Sequence, residues 1–364
     1  MDLIDSACPV SFAAGMQQTN VDEALQSALA NHQAGRLAEA EAAYRQILAA
    51  DANCAAAWHL LGVLAHQVGR SEAGVQMISR AIQLGMGSEA YNNLGECYRA
   101  MGKYQEAVNA YQAAIQQNPN NAEAYSNLGL VFNSAGRYAE AIPFLEKAIA
   151  LKSNLANARF NFGIALDNTG KLDDAIEQWE IALRHDPNHA MAMNNLGVAL
   201  QRRDRLERAV STLRKLVEKY PNWPEAHANL GSALAASGKY DDALAEATKA
   251  VEMDPTRAEA HNTLGVVYMR AGKFEEALAA TKRAVELNPK FHKAVGNVGG
   301  IYQKMNRHEE AGEWFERAAA ILPGDVETAN ALYGAYYKSR RPDKSLGVTD
   351  RALQHNPNHA EAGT

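Results

Sequence analysis

Asparagine recurs at a step of 34 residues through most of this chain. Asn93, Asn127, Asn161, Asn195 and Asn229 hold the series, Thr263 interrupts it, and Asn297 resumes it. Each lies in a stretch such as "AYSNLGLVF" whose apolar spacing predicts a helix. Asn is a poor choice there, because its side chain competes for local backbone hydrogen bonds. A second amide precedes three members of this register, at Asn92, Asn194 and Asn262. A primary amide offers two donors and an acceptor. A row of them could pair with the backbone of an extended peptide whatever that peptide's side chains. At about 0.5–1.5 kcal/mol net per hydrogen bond, six would supply several kcal/mol before ordering costs, which suits reversible binding. The same amides could instead brace a neighbouring turn or helix of their own chain.

Other residues able to do chemistry point nowhere further. His185 and His189 in "HDPNHA", and His355 and His359 in "HNPNHA", are spaced like zinc ligands on a helix. A Pro turn interrupts each pair, so no metal site is expected. "GNVGG" (296–300) lacks the preceding strand that a phosphate loop needs. No GxSxG, HExxH or Cys/His nucleophile pair occurs, so neither an enzyme nor a cofactor is expected.

Composition narrows the class of partner. The 364 residues carry a formal charge of -6, and no stretch concentrates Lys and Arg, which argues against nucleic acid. Cys8, Cys54 and Cys97 are an odd number without a CxxC pair and read as free thiols in a reducing compartment. No apolar run approaches the roughly 18 residues of a membrane span, and Asp2 and Asp5 stand where a signal peptide would be basic. A cytoplasmic protein with no membrane insertion is expected.

The elements that position the amides are repeats. With each Asn at position 6, units begin at Val21, Ala55, Ser88, Ala122, Ala156, Ala190, Pro224, Ala258, His292 and Val326. The second is one residue short, where "LGMGS" replaces the usual "NPN" turn. Positions 4, 7, 8 and 11 follow helical spacing, as do 20, 24, 27 and 28. Between them, position 15 is Gly, or Asp204 or Asn306, all types that tolerate the left-handed end of a helix. Pro at 32, as in Pro119 and Pro221, closes the second helix. Small residues at 8, 20 and 27 admit close helix contact. No unit buries its apolar face alone, so neighbours must stack. Residues 1–20 contain Pro9 and no repeat and read as a flexible arm, with Asn20-x-x-Glu23 as a capping box opening the first helix. Residues 360–364 form a stub.

The pattern W/Y-x2-L-G-x2-Y, then Gly at 15, Ala at 20, Ala at 27 and Pro at 32, resembles the tetratricopeptide repeat family over residues 21–359. That resemblance implies an all-α, right-handed superhelical solenoid of about ten helix-turn-helix repeats, with the first helices lining a concave groove. Atypical ends fit: Ser27-Ala28 replaces Leu-Gly in the first repeat, and Tyr333 and Arg340 replace Gly in the last.

On a helical wheel, position 6 falls away from 4, 7, 8 and 11, which places the Asn series on the groove. There the array resembles most the repeat domain of the O-linked N-acetylglucosamine transferases, with kinesin light chains a looser parallel. No transferase domain follows Thr364, so that activity is not expected. The carboxylate clamp of the co-chaperone members is not expected either. Position 5 carries Asn92, Ser126, Phe160, Asn194, Ala228, Asn262 and Gly296, none of them the Lys that clamp requires. A weak gradient runs from Glu89, Glu96, Glu123 and Asp167, against Arg99, to Arg202, Arg270, Lys293 and Lys304, against Glu225 and Glu259. The expected function is a non-catalytic scaffold that binds extended protein segments through Asn93, Asn127, Asn161, Asn195, Asn229 and Asn297, with Asn92, Asn194 and Asn262 beside them. A structural protein assembling with itself through the arm, and a recruiting subunit for a separate glycosyl- or sulfotransferase, are the rivals. A monomer or weak dimer is expected in dilute solution.

Overall fold

A computed structural model describes residues 15–323, 325–339 and 341, with side-chain surroundings from Val21 onward. Among these residues there are 19 helices and no strand, and the helices pair as hairpins. The first helices are α1 (Gly15–Gln33), α3 (Ala55–Gln67), α5 (Ser88–Ala100), α7 (Ala122–Ser134), α9 (Ala156–Asn168), α11 (Ala190–Arg202), α13 (Pro224–Ala236), α15 (Ala258–Arg270), α17 (His292–Lys304) and α19 (Val326–Lys338). The second helices are α2 (Leu37–Ala50), α4 (Ser71–Gln83), α6 (Tyr104–Gln117), α8 (Tyr138–Leu151), α10 (Leu172–His185), α12 (Leu206–Lys219), α14 (Tyr240–Met253), α16 (Phe274–Leu287) and α18 (His308–Ile321). From α3 onward every first helix starts at repeat position 1 and ends at 13.

The chain divides into two compact units, residues 1–188 and 189–364. Within each, a first helix packs on its own second helix, that second helix packs on the next first helix, and successive first helices touch. Each unit is therefore a stack of helix pairs.

Local chemistry sets the boundaries. At position 15 the backbone turns left-handed, with φ of 71° at Gly136, 57° at Asp204 and 59° at Asn306. The following N–H then reaches back five residues and the position-15 N–H three, as in Arg137 N to Phe132 O at 2.9 Å and Gly136 N to Asn133 O at 2.9 Å. This pair of bonds is the Schellman closure, and it satisfies carbonyls a helix end would otherwise orphan. At the other end position 31 is extended, as a residue before Pro must be, and it stays so at Asp51 and Lys152, which precede Ala52 and Ser153. Asn118 and Asp254, for example, have φ of -139° and -140°. Their side-chain oxygens accept the N–H two residues on, at 3.0 Å from Asn120 and 3.1 Å from Thr256. In the shortened second repeat α4 ends one residue early and Gly85 takes φ of 100°.

The buried face is broader and more tightly packed than the apolar pattern suggested. Position 3 is Ala in eight repeats and fully buried, for example Ala57, Ala124 and Ala226 at 0% exposure. Position 10 is as deep, at Leu64, Cys97, Val131, Ala165 and Ile301. Position 8 faces position 24 of its own hairpin so closely that a Cβ on Gly163 would lie 2.4 Å from Trp179 Nε1. Burial fills that seam with the largest core side chains, Trp179, Tyr111 and Phe315 among them.

The start of the first helix differs from expectation. α1 begins at Gly15, so Asn20 lies inside the helix instead of capping it, and the arm shortens at its inner end. Met16, Gln17 and Gln18 are good helix formers with no breaker among them, which lets the helix extend upstream. Residues 1–14, Arg340, Pro357 and the pair His355 and His359 lie outside the described residues.

Candidate functional site

Deep burial of positions 3 and 10 changes where position 6 stands. At about 100° per residue, position 6 lies only about 40° from position 10, on the shoulder of the core and not opposite to it. Asn93, Asn127, Asn195, Asn229 and Asn297 are accordingly half-buried, and Asn161 is buried at 5% exposure. Position 5 flanks the other shoulder. Stacking brings the position-6 shoulder of one repeat against the position-5 shoulder of the repeat before it.

The amides meet there. Asn127 Nδ2 donates to Asn92 Oδ1 at 3.1 Å, Asn229 to Asn194 at 2.8 Å and Asn297 to Asn262 at 2.8 Å. Asn93 Nδ2 makes the equivalent bond to His59 Nε2 at 2.8 Å. The nine expected site residues are thus brought together mainly as pairs within the chain. Asn194 is the most enclosed acceptor, 4% exposed, and its own Nδ2 reaches Glu225 at 3.5 Å. Asn161 follows Ser126 at position 5 and makes no such pair; its backbone carbonyl accepts from Asn133 Nδ2 at 2.8 Å. Each strut uses one donor of the position-6 amide. The Oδ1 atoms of Asn93, Asn127, Asn229 and Asn297 have no protein partner among the described residues.

A second recurring bond fixes the first helices to the turn before them. Trp58 Nε1 donates to Ala52 O at 2.9 Å and Arg159 Nε to Ser153 O at 2.9 Å. His227 Nε2 and His261 Nε2 reach Pro221 O and Pro255 O at 2.9 and 3.0 Å. Position 4 therefore packs and ties down the turn and is not poised for a ligand. His189 accepts from Ala192 N at 3.2 Å and caps α11. No group of three metal-ligating side chains occurs among the described residues.

The expected charge gradient is partly neutralised from within. Glu96 accepts from Tyr111 Oη at 2.7 Å and from Arg99 at 2.9 Å. Glu123 pairs with Lys152 at 2.8 Å and Glu225 with Arg257 at 2.9 Å. Burial alone would raise the Glu123 carboxyl, but the Lys152 ammonium and a backbone hydrogen bond outweigh it and hold it low. Glu89 is exposed and has no partner among the described residues.

Repeats 1–4 line an open pocket of about 650 Å³ that includes Asn92 and Asn93. Leu29, Leu60 and Val63 contribute apolar lining, and Glu89, Glu123, Asn120 and Asn121 contribute polar lining. His59 forms part of the wall at 3% exposure, and burial pushes its pKa down to about 4, so it is neutral and accepts from Asn93. Reasoning from sequence missed His59 because attention to position 5 began at Asn92. Burial likewise pushes the Cys97 thiol up to about 12, and Cys54 is buried too. No described helix is long and apolar enough to cross a membrane.

Stacked antiparallel helix pairs with a left-handed break at position 15, a Pro-defined turn at 32 and a first-helix face bearing paired amides define a helical-repeat array. Models of the tetratricopeptide repeat match residues 25–89, 88–154, 160–224, 228–290 and 262–326, and the chain belongs to that family. Its members typically mediate protein–protein interactions. A comparison with curated proteins returned no match. Among solved structures, the chain is similar to YrrB, described as a TPR protein with an unusual peptide-binding site, at 28% identity over 51% of this chain and 96% of that one, with a TM-score of 0.45. It is similar to MamA at 29% identity over 44% and 94%, with a TM-score of 0.39. A tetratricopeptide repeat protein from Parabacteroides merdae shares the fold at 17% identity over 68% and 98%, with a TM-score of 0.58.

Proposed function

We propose that this protein is a non-catalytic scaffold that holds extended segments of partner proteins along the face built by its first helices. The observation that carries this reading is the set of half-buried amides at position 6. One N–H of Asn93, Asn127, Asn229 and Asn297 is spent on the preceding repeat, which fixes its orientation, while the carbonyl oxygen is left without a protein partner among the described residues; Asn195, half-buried as well, follows Phe160 at position 5 and has no such strut. An acceptor held in place before binding has less side-chain entropy to lose. Successive first helices stand about 8–10 Å apart, and an extended chain advances about 3.3 Å per residue. Amides one repeat apart, Asn93 and Asn127, therefore meet positions roughly three residues apart in the bound segment.

The earlier alternative, that the amides brace the array, is the other half of the same arrangement. Asn92, Asn194 and Asn262 act as positioning residues, and Asn93, Asn127, Asn229 and Asn297 as the contacts. The likeness of the Asn series to that of the O-linked N-acetylglucosamine transferases supports backbone recognition and carries no transferase activity.

The test uses 12-residue peptides selected on the full chain by display. Titrations of wild type and of Asn93→Ala/Asn127→Ala are run beside thermal melts. Loss of affinity with the melt unchanged supports the reading; a lowered melt with undiminished affinity per folded molecule makes the amides struts alone.

A further inference from the structure

The open pocket in repeats 1–4 combines two chemistries, and that combination selects its occupant. Leu29, Leu60 and Val63 line it together with the carboxylates of Glu89 and Glu123. No Lys or Arg lines it, and His59 in its wall is neutral. Glu123 is already paired with Lys152, whereas Glu89 has no partner among the described residues. Asn93 is fixed at the rim by its bond to His59. A ligand that fits needs an apolar stem several carbons long ending in a cation, the shape of a lysine or arginine side chain.

We infer that this cavity receives a lysine or arginine side chain of the bound segment, its stem against Leu60 and Val63 and its charged head at Glu89, with Glu123 the second carboxylate. The inference rests on the groove reading and adds a sequence preference that backbone amides alone lack. Asn93 accepts a backbone N–H of the same segment beside the anchoring residue. Residues 1–35 carry no Lys or Arg and so offer no such side chain.

The experiment is a positional scan on a peptide array. Twelve-residue peptides of Ala and Ser carry a single Lys, Arg, norleucine or Glu at each position in turn and are probed with the full chain. Wild type should retain the Lys and Arg peptides about tenfold better than norleucine at one position, the ratio expected for a charge-assisted hydrogen bond. Glu89→Gln should erase most of that ratio and leave the norleucine signal in place. Glu123→Gln should reduce it less. Binding without a basic preference, or a preference that survives Glu89→Gln together with Glu123→Gln, overturns the cavity assignment and leaves the groove reading standing. Failure of every peptide to bind overturns both. Circular dichroism of each variant confirms that the exposed substitutions leave the helices intact.

Discussion

Gly129 sits where α7 crosses α8, and the cost of a methyl group there can be worked from the geometry. A Cβ would lie 2.5 Å from Leu145 Cγ and 2.7 Å from its Cδ2, well inside contact distance. Leu145 is fully buried, so it has nowhere to turn. Overpacking of this kind costs about 1–3 kcal/mol. Against it stands about 1 kcal/mol gained by replacing Gly with Ala inside a helix. Gly129→Ala should therefore destabilise the hairpin by up to about 2 kcal/mol. Leu145→Ala alone should cost about 2–5 kcal/mol through the cavity it leaves. With Leu145 gone the clash goes too, so Gly129→Ala in the Leu145→Ala background should be neutral or stabilising by up to about 1 kcal/mol. Repeat 7 shows how much room an Ala partner leaves: a Cβ on Gly231 would lie 3.1 Å from Ala243 O and Ala247 N and 3.2 Å from Ala247 Cβ, close but without the overlap seen at Leu145. Hydrogen exchange of the α7 and α8 amides gives the local stability in all four proteins. The same sign for Gly129→Ala in both backgrounds would refute the reasoning, as would a loss spread evenly along the chain instead of confined to neighbouring repeats.

Further outcomes follow from other sites. Asp204→Gly and Asn306→Gly should each raise stability by up to about 1 kcal/mol, because both hold φ near 57–59° where Gly carries no Cβ penalty; denaturant midpoints check this. His59 is pushed from 6.5 to about 4 by burial, so below pH 6.5 the unfolded chain binds a proton the folded one refuses. Stability is full above about pH 7 and falls through the window from 6.5 to 4, by about 3 kcal/mol at its lower end; melts against pH should show that slope and His59→Gln should remove most of it. Asn92→Ala should cost no more than about 1 kcal/mol, the worth of one half-exposed hydrogen bond, yet weaken peptide affinity by freeing Asn127 to rotate, as a titration beside a melt would show.

How much of this was legible without coordinates depends on the kind of signal. Asp204 and Asn306 could be read as left-handed caps, since few residue types tolerate that geometry, and they are. The hairpin boundaries followed from Gly at 15 and Pro at 32, which act locally. Placement of position 6 did not follow, because the wheel was oriented on 4, 7, 8 and 11. Ala at position 3 and the mixed residues at 10 are deeply buried, yet Ala gives too weak a hydrophobic signal to mark a core. The strut was written in the sequence as a pairing and not as a period. Polar faces polar at Asn92 with Asn127, Asn194 with Asn229 and Asn262 with Asn297, while Leu25 stands opposite Leu60 and Gly296 opposite Ala331 in the same register. Only stacking tells which two positions to compare. The early start of α1 was missed because Pro9 suggested disorder further along than its influence reaches.

Binding along the first helices requires the position-6 amides to touch the bound segment. Their side-chain NH2 resonances, assigned by Asn→Asp substitution and followed by nitrogen-edited NMR during titration with a display-selected peptide, report it directly. Asn93 and Asn127 should shift in step with binding of a peptide held by the first unit, and Asn229 and Asn297 with one held by the second, while the backbone amides of Gly136 and Gly238 at the hairpin turns stay put. Binding that moves resonances of the second helices and leaves those four amides unchanged would contradict it.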